Sequence, residues 1–114
     1  MNHITLIGRL TSDPELTAPK GNPICRFRIA VDRHTDGADF ITIISFGTRG
    51  ENDARWLTKG RLVAIDGRLH HNTWTDTDGN KRERYEVYAT TVTYLDGPRK
   101  TTADSEPAAG EEAF

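Results

Sequence analysis

The sequence predicts an all-β domain, a five-stranded Greek-key barrel with one short helix between strands three and four. Two observations carry this. Apolar and polar residues alternate in short runs bounded by Gly, Pro, Asn and Asp, the signature of half-buried strands. One segment alone shifts toward a helical period, and it follows the third run. With 114 residues, the chain has enough length for one hydrophobic core and little more.

Residues 3–10 form the first run, with Ile4, Leu6 and Leu10 on one parity and Thr5, Ile7 and Arg9 on the other. Asp13-Pro14 and the segment from Pro19 to Pro23 then break the pattern. Residues 24–32 alternate most clearly. Cys25, Phe27, Ile29 and Val31 make an apolar face, while Arg26 and Arg28 point the other way. After the turn-like Thr35-Asp36-Gly37, residues 39–46 are rich in β-branched and aromatic side chains. The helix is expected over 51–58, opened by acids, with Ala54, Trp56 and Leu57 on its apolar side and Gly60 closing it. Residues 61–74 read as a long strand with Val63, Ile65, Gly67 and Leu69 inward and Arg68, His70, Asn72 and Trp74 outward. Asp78-Gly79-Asn80 is a hairpin signal leading into a last strand over 83–95.

The domain is expected to end at residue 97. From 98 to 114, Thr, Ala, Gly, Pro and acids replace the apolar pattern, the composition of a disordered acidic tail. The formal net charge of −2 divides unevenly. Residues 1–98 carry 13 Lys+Arg and 13 Asp+Glu, whereas 99–114 carry Arg99 and Lys100 against four acids. The barrel is therefore neutral, and any polyanion must be met by cations gathered on one face. No apolar run approaches the ~20 residues of a membrane span, and residues 1–10 do not pattern as a secretory signal. Cys25, the single cysteine, forms no intramolecular disulfide and is expected in the core. A cytoplasmic, nucleoid-associated location is the expectation.

Catalytic chemistry finds no support in the motifs. His3, His34, His70 and His71 lack metal-ligand spacing, and no HExxH, GxSxG, Walker A or GxGxxG pattern occurs. No catalytic residue, metal or cofactor is assigned. What remains is aromatic side chains interleaved with cations on strands, the combination that holds single-stranded nucleic acid by stacking and charge. Trp74 is the best stacking candidate, outward on a long strand just before the hairpin, with packing inside the hairpin as its alternative. Phe40 and Phe46 share a parity that is either a second stacking stripe or core, because Ile41 and Ile43 make the opposite parity apolar too. Trp56 is read as a core residue of the helix, and Tyr85, Tyr88 and Tyr94 as ordinary strand residues. Arg9, Arg28, Arg33, Arg68, Lys81, Arg82 and Arg84 are the candidate phosphate contacts. Lys59 and Arg61, beside the helix end, are read as solubilising.

Taken together, residues 4–16 (ITLIGRLTSDPEL), 26–31 (RFRIAV), 39–47 (DFITIISFG), 56–60 (WLTKG), 66–69 (DGRL) and 74–79 (WTDTDG) resemble the bacterial single-stranded DNA-binding protein family across residues 1–96. The resemblance implies an OB-fold, a homotetramer, and sequence-independent binding of single strands in replication, recombination and repair. It places Phe40, Phe46 and Trp74 at stacking positions and supports Trp56 as core. Three departures stand out. The loop over 32–39 is short and has no aromatic. His70 and His71 occupy positions where relatives often have Arg or Lys, which predicts affinity rising from pH 8 to pH 6. The tail is short, which implies a specialised paralogue. Its end, Glu111-Glu112-Ala113-Phe114, is a candidate tip for recruiting replication and repair proteins. The alternative is a primosome-type replication-restart protein acting mainly through protein partners.

Overall fold

The computed structural model describes residues 1–96. The expected tail and its tip, Glu111 to Phe114, lie outside the described residues. The elements run β1 (Ile4–Leu10), β2 (Glu15–Thr17), β3 (Ile24–Asp32), β4 (Ala38–Phe46), α1 (Gly47–Trp56), β5 (Leu62–Thr75) and β6 (Lys81–Tyr94).

Strand order is β1-β5-β6-β4-β3-β2, and β1 also pairs with β3 through Arg9↔Ala30 and Leu10↔Ile29. That extra pairing closes five strands into a barrel, with β4 and β6 running parallel and the other pairs antiparallel. This is the OB-type Greek key with its helix between the third and fourth barrel strands. β2 is an addition the alternation did not signal. Three exposed residues pair with Ile24, Cys25 and Arg26 on the outer edge of β3. A strand held by pairing at an edge needs no apolar face of its own.

The barrel is filled by Leu10, Cys25, Phe27, Ile29, Ile43, Val63, Ile65 and Val87, with Leu57 from beyond α1. Cys25 is buried, as its parity predicts, and burial pushes its thiol up to about 11. A thiol so protonated and enclosed is unreactive at neutral pH.

Helix α1 begins four residues earlier than expected. Gly47 opens it at φ +66, a backbone most side chains resist, and its N–H donates to the Pro23 carbonyl at 2.9 Å. Gly50 and Asp53 face inward. A Cβ at Gly50 would lie 2.8 Å from the Ser45 carbonyl oxygen, so glycine is what lets the helix approach β4. With the helix in that phase, Trp56 turns outward and is 54 % exposed, while Leu57 takes the buried place. Trp56 is therefore not a core residue. The side chain of Asp53 accepts from the Tyr94 hydroxyl at 2.7 Å, locking α1 to the end of β6.

Arg61 is likewise structural rather than solubilising. Its guanidinium donates to the Trp56 carbonyl, the Asp96 carboxylate and the Asp96 carbonyl, at 3.0, 3.2 and 3.1 Å. It joins the helix end, the start of β5 and the chain after β6.

Candidate nucleic-acid interface

Residues two apart on a strand share a face, and so do partners directly across a ladder. The registers then assemble one continuous outer surface. β3 supplies Ile24, Arg26, Arg28 and Ala30. Opposite them, β4 supplies Phe46, Ile44, Thr42 and Phe40. Ile44 neighbours Tyr88 of β6. On β6, Tyr88, Glu86, Arg84 and Arg82 lie across from Arg68, His70, Asn72 and Trp74 of β5.

The surface is long because β5 and β6 outrun the barrel. At the bulge between Asp66 and Gly67 the ladder shifts, and the two strands continue as an arm to Thr75 and Lys81. A side chain at Gly67 would collide with the Tyr88 carbonyl, so the crossing needs glycine. Leu69, inward by parity, is exposed because the arm leaves the barrel core behind at that point. Asp76 shapes the tip. Its Oδ1 accepts the backbone N–H groups of Asp78 and Asn80, both at 2.9 Å, and its Oδ2 accepts from Arg82 Nε at 2.8 Å. Those bonds, that of Arg82 foremost, hold its carboxyl below the ordinary value.

Neither Phe40 nor Phe46 is a core residue. Both lie outward, 56 and 44 % exposed, and Trp74 is 40 % exposed on the same surface. Each region of this surface pairs a ring with a guanidinium. Arg28 lies 5.3 Å from the Phe40 ring centre, Arg84 lies 5.1 Å from that of Trp74, and Arg68 lies 5.7 Å from that of Tyr88. Tyr88 stacks on His70 at 4.3 Å and meets Phe46 edge-on at 5.1 Å. It forms the bridge between the barrel rings and the arm, a role that periodicity alone did not single out. Only the register of β4 against β6 reveals it.

The remaining candidates are distributed differently. Arg9 stands in the row Arg9–Ala30–Phe40, but its guanidinium turns to the Gly60 carbonyl at 3.0 Å and to Asp96 at 3.5 Å. Arg33 pairs with Asp39 at 2.9 Å beside the β3–β4 turn. Lys81 is on the reverse parity of the arm, yet it lines the same tip groove as Trp74 and Arg82. His71 is also on the reverse face, stacked on Tyr85 at 4.6 Å and bonded to Glu83 at 2.6 Å. Among the described residues, no cluster of three or more His, Cys, Asp or Glu side chains is placed to hold a metal ion. No described helix is long and apolar enough to cross a membrane.

Comparison with known proteins agrees with this geometry. Residues 1–95 match the model of the single-strand binding protein family. A single-stranded DNA-binding protein of Clostridium perfringens is 41 % identical over 100 residues, covering 84 % of this chain and 67 % of that protein. The protein of the same name from Clostridium tetani is 39 % identical, covering 93 % of this chain and 78 % of its own length. That of Thermotoga maritima is 38 % identical, with coverage of 92 % and 82 %. On the matched residues and the closed five-strand topology alike, this chain belongs to the single-strand binding protein family.

Proposed function

We propose that this chain binds single-stranded DNA without sequence preference, and without catalysis, in replication, recombination and repair. The observation that carries the reading is the shared surface: Phe40, Phe46 and Trp74 lie exposed on one sheet face, with guanidiniums beside Phe40 and Trp74. Every base offers a π-face, so stacking tolerates any sequence. Arg28, Arg68, Arg82 and Arg84 follow the same track and meet phosphates, with Lys81 at the tip and His70 beneath Tyr88. Arg82 does so by exchanging Asp76 for phosphate, and Arg9 and Arg33 join only by exchanging Asp96 and Asp39. Titration with oligo-dT should quench tryptophan emission, and affinity should fall with salt at about 0.7 in log–log slope per phosphate neutralised. Absence of both effects would refute the reading.

The working unit in this proposal is a homotetramer in the cytoplasm, associated with the nucleoid. The outer face of β1 supports self-association. Ile7 is exposed there, and β1 pairs with β3 at Arg9 and Leu10, leaving the edge of Ile4 to Gly8 toward β3 without a strand partner among the described residues. Sedimentation showing monomers alone at micromolar concentration would exclude the assembly.

A further inference from the structure

An acidic residue lies within the cationic face, and it is almost wholly covered. The Glu86 side chain is 2 % exposed, yet its register puts it outward, between Arg84 and Tyr88 on β6. Its Oε2 accepts a hydrogen bond from Arg26 at 3.1 Å and forms an ion pair with Arg84 Nε at 3.0 Å. The two arginines come from different strands, β3 and β6, and their side chains are 41 and 42 % exposed. The carboxylate therefore lies beneath and the guanidiniums lie above it, open to solvent.

A buried carboxylate is costly unless paired, and two crowded guanidiniums repel each other. Here each problem offsets the other. One oxygen holds both guanidiniums, Arg26 by a hydrogen bond and Arg84 by charge, while the other donors of each fork have no hydrogen-bond partner among the described residues. Two forks held together over an interior counter-charge form a receptor for a tetrahedral dianion or a phosphodiester. Arg28, in the same groove, adds a third cation, and Asp13 and Glu15 line it as well. Asp13 is occupied by the Lys59 backbone N–H at 2.8 Å.

We infer that Arg26 and Arg84, held by Glu86, form a clamp for a single phosphodiester of the bound strand. The inference rests on the single-strand reading above. It adds Arg26 to the binding residues and makes Glu86 a positioning residue, so that a negative charge contributes to binding an anion. Arg84 also lies over Trp74, so the clamp sets the phosphate next to the base stacked at the arm.

Oligo-dT binding across a salt series tests this in five proteins: wild type, Arg26→Gln, Arg84→Gln, the triple variant Arg26→Gln/Arg84→Gln/Glu86→Gln, and Arg55→Gln as a control on the exposed side of α1. The triple variant removes the buried charge together with its partners, so it folds without a stranded carboxylate. Two arginines on one phosphate predict weaker binding for each single variant, with little change in salt slope. The triple variant should then lose about 0.7 in slope. Thermal melting checks that the variants are folded, and stability alone would not move a salt slope. If wild type binds but the triple variant keeps its affinity and slope, the clamp is refuted and the single-strand reading stands. Separate slope losses of about 0.7 in each single variant, adding in the triple, would also refute it, because each arginine would then hold its own phosphate. Failure of wild type to bind at all would refute the underlying reading instead.

Discussion

At the scale of single residues, burial decides which aromatics remain available. Tyr94 is committed to Asp53, and Phe27 to the core. Trp74 and Trp56 are both exposed, yet only Trp74 lies on the arginine-lined surface. Trp74→Ala should weaken oligo-dT binding by about 1–3 kcal/mol, roughly 5- to 150-fold, measured by fluorescence-independent titration such as calorimetry. Trp56→Phe should leave affinity unchanged. Alternation was enough to place Trp74 on the outer face and to expose the ambiguity of Phe40 and Phe46. It misassigned Trp56 because the inward stripe is carried by Gly50 and Asp53, residues with no apolar signal, and continues to Leu57, which leaves Trp56 on the outer side. Glu86 gave no sign of burial, since its cover comes from arginines on two strands. Long-range pairing of that kind leaves no local periodicity.

At the scale of elements, two devices govern order. The first is the arm tip, held by Asp76. Its depressed carboxyl contributes order that is present above the ordinary value of 3.8 and is lost as pH falls through the lower folded value. Asp76→Ala should free Arg82 and speed amide exchange at Asp78 and Asn80 at neutral pH. Unchanged exchange there would show that the turn is held by Gly79 and the ladder alone. The second device is the α1–β6 lock. Burial pushes the Asp53 carboxyl above its ordinary value, against the hydrogen bond from Tyr94. A raised value means that its stabilisation is complete below 3.8 and is lost as pH rises through the folded-state value. Asp53→Asn should therefore melt higher than wild type near pH 7, with the difference shrinking toward pH 4. A difference independent of pH would assign the effect to packing instead. The barrel strands were legible because their apolar faces alternate, and the arm was legible as a hairpin signal. β2 was not, because edge pairing carries it, and the bulge at Gly67 was hidden inside an unbroken run.

At the scale of the whole molecule, a domain with no net charge over residues 1–98 still presents a directional surface. Acids pair off several of the cations, as Asp96 does for Arg9 and Asp39 for Arg33. Arg28 and Arg68 remain beside rings on the outer face, with no ion pair among the described residues. The two histidines of the arm part at this scale: His70 lies on the outer face stacked on Tyr88, whereas His71 faces away and is bonded to Glu83. His70→Gln should therefore weaken oligo-dT binding more than His71→Gln does.

The central claim is that bases stack on the outer sheet face at Trp74 while arginines hold the backbone. It is tested most directly by titrating the Trp56→Phe protein, whose sole tryptophan is Trp74, with oligo-dT at several salt concentrations. The prediction is saturable quenching of the Trp74 emission, with an affinity that falls steadily as salt rises. Tight, salt-dependent binding that leaves the Trp74 emission unchanged would contradict the claim and place the DNA on another face.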